Sequence, residues 1–302
     1  MKGLITKGYR LLLLISFVFQ FSTISGQNEK VIKVADDIYC FLGPQGYNTL
    51  FLVTDKGIVA IDPINPNHAE GFLKSIRETS TKPLKYLLYS HNHWDHACGG
   101  EIFEKEGIRS LIHYEAMEWM KENPHKDLRI PDKSWVGSLK KMNFGNIKLE
   151  MHYMANSHGL GMTVFYFPKE KLIYISDLIT PERVMFSIVP DFNIGGTVRA
   201  IKKIEALDFE TVIFSHGRFK GDRTDVQQGR EYIQDVQAAI KKEFEKGTNF
   251  MEIPAKIRLP KYEHWAMYNE WLSLNVWRIM LDMYMGPYPW RYEPSLQQPA
   301  FE

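Results

Sequence analysis

The chain has 302 residues, of which 44% are hydrophobic and 24% charged, enough to fill the core of one large domain and without low-complexity or repeated stretches. Its formal charge is +1; apart from Lys2, Lys7 and Arg10, which sit in a leader-like start, 34 basic residues face 36 acidic ones, a balance of −2. A nearly neutral body offers nucleic acid no electrostatic footing, so no nucleic-acid partner is expected.

Residues 1–26 read as a signal peptide. Lys2, Lys7 and Arg10 make a basic start, residues 11–21 an apolar stretch too short to span a bilayer comfortably, and Ser22-Thr23-Ile24-Ser25-Gly26 a small-residue cleavage region before Gln27. An uncleaved anchor is the competing reading, since no clean A-x-A site settles the matter. Export to the periplasm or the medium is expected, with no stable membrane insertion once the leader is cut. The main domain is then expected over 27–222, and a helical extension packed on it over 223–302.

Short β-prone runs at 32–34, 38–42, 49–53 and 58–61 are separated by Gly43-Pro44, Asp55-Lys56-Gly57 and Asp62-Pro63, which predicts an antiparallel meander. Asn67 is expected to cap a helix that places Ala69, Phe72, Leu73 and Ile76 on one face and runs to Thr79. Residues 84–88 return as a buried strand, which opens into His91-Asn92-His93-Trp94-Asp95-His96 just before the pair Gly99-Gly100. Histidines at i and i+2 of an extended segment can turn toward one point, while Asp95 and His96, where the loop curls back, can reach a second. One loop can thus serve two metal ions. An accidental His-rich loop is the weaker alternative, because only 10 His occur in the chain and three are here.

A short helix is expected over 101–105, a strand over 108–112 and a helix over 114–121. Residues 122–146 mix Pro124, Pro131, Trp135 and Phe144 with charges and show no period, so a lid or substrate-facing loop is expected, with His125 solvated. Of the two cysteines, Cys40 and Cys98, export would permit a disulfide, and sequence alone does not decide the pairing. Cys98 is read as a small buried residue under the loop rather than a ligand.

Strands are expected over 147–153, 162–167, 172–175 and 211–214. They end in or flank Asn156-Ser157-His158-Gly159, Ser176-Asp177 and Ser215-His216-Gly217. Singly, His158, Asp177 and His216 pass for satisfied turn residues. Together they repeat one design, in which a buried strand delivers one metal-type ligand at its end. Beyond them, Val226, Ile233, Val236, Ile240 and Phe244 define an amphipathic helix over 224–246, and a second helix over 262–285 is apolar around much of its girth. That girth is expected to pack on the domain, with a homodimer through these helices as the alternative. His264 is read as a surface residue.

The ordered set His91, His93, Asp95, His96, His158, Asp177 and His216 resembles that of the metallo-β-lactamase-fold superfamily of metallohydrolases, and the resemblance covers roughly residues 32–216. It implies an α/β (α+β) fold, a four-layer αββα sandwich with two metals in a groove at one edge of the sheets. By position it assigns His91, His93 and His158 to one metal, Asp95, His96 and His216 to the other, and Asp177 to a bridge between them. Imidazole and carboxylate donors without thiolate suit two Zn2+ ions, although the same set accepts iron or manganese. Two such cations bring a shared water to a near-neutral pKa and polarise a carbonyl, so no side-chain nucleophile is required. Asp95 is the candidate catalytic residue that orients that water and shuttles a proton.

The departures from the family bear on substrate. A bridging Asp at 177 resembles the glyoxalase II and lactonase branches rather than β-lactamases proper, where Cys or Ser accompanies a different second site. Yet Leu178-Ile179-Thr180-Pro181-Glu182 lacks the Tyr that often follows in lactonases, and Asn156-Ser157-His158-Gly159-Leu160-Gly161 differs from the usual G-H-T-P-G. The expected function is an exported dinuclear zinc hydrolase that cleaves an ester, lactone, thioester or amide bond of a small molecule. The alternatives are a β-lactamase in the narrow sense and an iron-dependent redox protein on the same scaffold.

Overall fold

A computed structural model describes residues 29–287; the signal-peptide reading of 1–26 and the last 15 positions of the extension lie outside the described residues. Strands β1 (Lys30–Ala35), β2 (Ile38–Leu42), β3 (Asn48–Thr54) and β4 (Gly57–Ile61) form the expected antiparallel meander, and β5 (Leu84–Leu88), β6 (Arg109–His113) and β7 (Lys133–Trp135) extend it in parallel. A second sheet contains β8 (Leu139–Asn143), β9 (Lys148–Tyr153), β10 (Thr163–Phe167), β11 (Leu172–Ile175), β12 (Thr211–Phe214) and β13 (Lys220–Gly221), with β11 and β12 parallel and the other pairs antiparallel.

Strand periodicity divides the core between the layers. In β2, Ile38, Cys40 and Leu42 face the second sheet, where they meet Leu149, Met151, Phe165 and Tyr174, while Phe41 turns the other way. Phe41 and Phe51 pack there on Phe72 of α1 (Pro66–Thr79). The same outer layer includes α2 (Trp94–Ala97) and α3 (Tyr114–Glu122). On the far side, Val164, Ile173, Ile175, Val212 and Phe214 face α4 (Ile194–Glu205), α5 (Arg223–Glu245), α6 (Ile253–Lys256) and α7 (Tyr268–Met285). The order helix, sheet, sheet, helix is the four-layer sandwich. No helix among the described residues is long and apolar enough to cross a membrane.

Four details differ from expectation. The cap of α1 is Asn65, whose Oδ1 accepts from the His68 N–H at 3.0 Å, because Pro66 takes the first helical position and needs no hydrogen-bond partner for its nitrogen. Residues 122–146 are not a lid: they hold edge strands β7 and β8, one on each sheet. The last helix starts at Tyr268 rather than 262, after a short 3-10 turn at Pro260–Tyr262. Helix α4 has no counterpart in the sequence reading.

Helices α5, α6 and α7 of the extension share one apolar cluster with the outer face of the second sheet, and α7 also grips the connection between β11 and α4. Asn275 donates to the carbonyls of Met185 (3.0 Å) and Ser187 (2.7 Å), and Arg278 donates to that of Phe192. Along this strap Glu182, Ser187 and Val189 have positive φ, a costly conformation for non-glycine residues that outside contacts must hold in place.

Candidate metal centre

All seven expected ligands stand on one edge of the sandwich, five of them in the turns and loops beyond strand ends and two, Asp95 and His96, in the short helix α2 that follows β5. Asp177, directly beyond β11 with φ 56°, is the centre of the arrangement. Its Oδ2 lies 3.4 Å from His91 Nε2, 3.2 Å from His158 Nε2 and 3.9 Å from His93 Nδ1. Its Oδ1 lies 3.1 Å from His96 Nε2 and 2.9 Å from His216 Nε2. One carboxylate thus turns a different oxygen to each of two histidine groups. Donor atoms of His91, His93, His158 and Asp177, and separately of Asp95, His96, Asp177 and His216, lie within 4.8 Å of one another.

Outer contacts fix which ring nitrogen faces inward. Ser90 Oγ is 2.8 Å from His91 Nδ1, Asp191 Oδ2 is 2.6 Å from His93 Nε2, and Ser176 Oγ is 3.1 Å from His96 Nδ1. Asp62, wholly buried, approaches His96 Nδ1 to 3.6 Å and accepts from the Ser90 N–H at 2.7 Å. Partners of this kind set the tautomer and ring orientation of a metal-binding histidine. The Tyr47 hydroxyl donates to Asp95 Oδ2 at 2.9 Å. Gly159 lies against the cluster: a Cβ there would stand 3.0 Å from His91 Cδ2 and 2.9 Å from Asn92 Oδ1, and its φ of 57° suits glycine.

The electrostatics match a site built for cations. Burial opposes the charge on Asp177, but His96 and His216 prevail and hold it well below the usual carboxylate range. Burial pushes His91 down to about 3, and the neighbouring His93 adds to the effect. His93 is raised to about 9 against its own burial by the hydrogen bonds it donates to the carboxylates of Asp177 and Asp191. The buried His91 Nε2 has no hydrogen-bond partner, yet it points at the Asp177 carboxylate. An orphaned buried nitrogen beside an ionised carboxylate is the environment a cation fits.

Other expectations can be placed. Cys40 and Cys98 are both free thiols; Cys98 is buried under the loop and lies outside both donor groups. His125 is not simply solvated: its ring meets Trp94 at a tilt, 4.8 Å between centroids, and approaches Cys98 Sγ to 3.5 Å. His264 is exposed. Sequence reasoning missed Asp62, Asp191 and Tyr47. Asp62 follows β4 as His91 follows β5, so its strand-end position was a usable signal; Asp191 lies in the irregular strap and had none.

A cavity of about 420 Å3 opens over the centre. Its polar floor includes Asp95, His158, Asp177 and His216; its walls include Leu178, Ile179, Val184, Phe192, Ile233 and Trp265.

Comparison with known proteins agrees with this geometry. The family model described as "Metallo-beta-lactamase superfamily" matches residues 42–216. The chain belongs to the metallo-β-lactamase superfamily, whose members are mostly hydrolases. It is 24% identical over 172 residues to the 2,4-dinitroanisole O-demethylase subunit alpha of Nocardioides sp. (56% of this chain, 52% of that protein). It is 29% identical over 173 residues to a hydroxyacylglutathione hydrolase of Pelagibacter ubique (55% and 65%). The chain therefore spans only about half to two thirds of these two relatives. Among solved structures, a metallo-β-lactamase from Pontibacter korlensis superposes with a TM-score of 0.61 at 19% identity, covering 68% of this chain and 99% of that one. The sec-alkylsulfatase Pisa1 from Pseudomonas sp. gives 0.69 at 18% identity, covering 90% and 52%.

Proposed function

We propose that this chain is an exported, dinuclear zinc-dependent hydrolase that cleaves an ester, lactone, thioester or amide bond of a small molecule. The observation that carries the reading is the division of Asp177, with Oδ2 toward His91, His93 and His158 and Oδ1 toward His96 and His216. His91, His93 and His158 would hold one cation, Asp95, His96 and His216 the other, with Asp177 shared. Such a pair supplies a water acidified to near neutrality and an electrophile for the substrate carbonyl.

The chain's own groups do the rest. Asp95 is exposed to the groove and takes a hydrogen bond from Tyr47, so its carboxylate is placed to orient a water and to move a proton to the departing group. The phenol of Tyr47 is pushed well above its ordinary range by burial and by Asp95, so it remains a donor throughout. The apolar walls limit water around the reacting bond. The similarity to a hydroxyacylglutathione hydrolase favours a thioester or ester among the candidate bonds, and the basic and apolar start of the chain supports export. Lactone, thioester, aryl ester and β-lactam substrates offered to the purified protein test the reading. Turnover of at least one, lost on chelation and restored by zinc, is expected. Turnover that persists without metal refutes it.

A further inference from the structure

One group in the cavity has no role in the chemistry just described. Arg183 lines the same cavity as Asp95, His158, Asp177 and His216. Its place in the strap is fixed by the segment that leads into α7, because Ala266 N donates to Glu182 O at 2.9 Å and Val184 N to Ala266 O at 3.3 Å. The guanidinium lies over the Trp271 ring, 5.7 Å from its centroid, and donates to Thr180 Oγ1 at 2.8 Å. Its Nε is buried and has no hydrogen-bond partner. Among the described residues no carboxylate comes within ion-pair distance of it; the adjacent Glu182 pairs instead with Arg218 at 3.6 Å.

Burial lowers the pKa of this guanidinium, and the charge of Asp177 offsets that only from beyond ion-pair distance, so a half-buried cation with no ion-pair partner costs solvation energy unless something anionic completes it. The surfaces around it are apolar: Val184, Met185, Val189, Ile233 and Trp265 line the same cavity, and Phe186 and Ile188 of the strap are exposed, at 58% and 47%. A ligand that satisfies both features needs an apolar body and one anionic group.

Building on the hydrolase reading, we propose that the substrate is an amphiphilic anion, with its carboxylate or sulfate held by Arg183 and its apolar chain or ring against the cavity wall, so that Arg183 selects the substrate. Removing a charged hydrogen bond of this kind weakens binding roughly tenfold to a hundredfold.

Equilibrium binding is the direct test and requires no turnover. Octanoate, octyl sulfate and uncharged 1-octanol are titrated into the purified metal-loaded protein, followed by the fluorescence of Trp265 and Trp271. At least one of the two anions should bind tenfold or more tightly than octanol, and which one does so distinguishes carboxylate from sulfate. Arg183→Gln should erase that preference while octanol binding is unchanged, and Arg183→Lys should keep part of it. Thermal melting confirms that the variants fold. Equal binding of octanol and both anions, or a preference that survives Arg183→Gln, overturns the proposal. A protein that binds these anions through Arg183 yet hydrolyses nothing would instead refute the hydrolase reading, so the two failures are separate.

Discussion

His93 Nε2 and Asp191 Oδ2 lie 2.6 Å apart, although 98 positions separate them in the chain. Asp191 also accepts from the Gly159 N–H at 3.1 Å, so it ties the histidine loop to the corner that carries His158. Asp191→Asn should retain the shape but weaken the anchor. Affinity for one of two metal ions should then fall roughly tenfold to a hundredfold. Competition with a chromophoric chelator measures this, and an unchanged affinity would mean that the contact does not orient His93.

Asp95 is the group whose role is most open to a kinetic test. Asp95→Ala should abolish most turnover, and Tyr47→Phe, which removes the 2.9 Å hydrogen bond to Asp95, should lower kcat with little change in KM. If Asp95→Ala retains two metals and full activity, Asp95 moves no proton.

Two buried histidines should make the fold acid-sensitive. Burial depresses His68 to about 3 and His113 to about 4, from an ordinary 6.5. Below pH 6.5 the unfolded chain therefore takes up protons that the folded one refuses. The stability these residues contribute is complete above pH 6.5 and declines as pH falls toward 4. His113→Phe preserves the stack on Tyr153, whose ring lies 3.9 Å away, and should flatten the dependence of the urea midpoint on pH in that window. Identical slopes would contradict the assignment.

Asn275 should matter more than its distance from the chemistry suggests. Its Oδ1 accepts from the Tyr232 hydroxyl at 2.7 Å while its amide holds two strap carbonyls. Asn275→Leu leaves these buried groups unpaired and should cost about 2–4 kcal/mol, read from urea unfolding. Activity should fall as well, because Asp191 and Arg183 belong to the same strap.

How much of this was legible depends on whether a residue's place follows from local pattern. His91, His158, Asp177 and His216 could be read because each follows a β-prone run, and such runs end where the sheet edge presents its residues. Asp191 could not, because α7 shapes the strap through Asn275 and Arg278, more than 80 positions away. Helix α4 carries Gly195 and Gly196 in its first turn, residues of low helix propensity that mask its start in the sequence. Gly196 is required there, since a Cβ would sit 1.8 Å from the Asn156 carbonyl oxygen, and Asn193 supplies the cap through a 2.7 Å bond to the Gly196 N–H. Strands β7 and β8 escaped because three residues, or a run as polar as Leu139-Lys140-Lys141-Met142-Asn143, gain strand form from a paired neighbour rather than from their own period.

Metal stoichiometry tests the central claim most directly. The purified protein should hold two equivalents of metal per chain by elemental analysis, and His158→Ala and His216→Ala should each retain about one. A wild-type protein that binds one equivalent or none under saturating zinc, or a His216→Ala variant that still holds two, would contradict the division of ligands around Asp177.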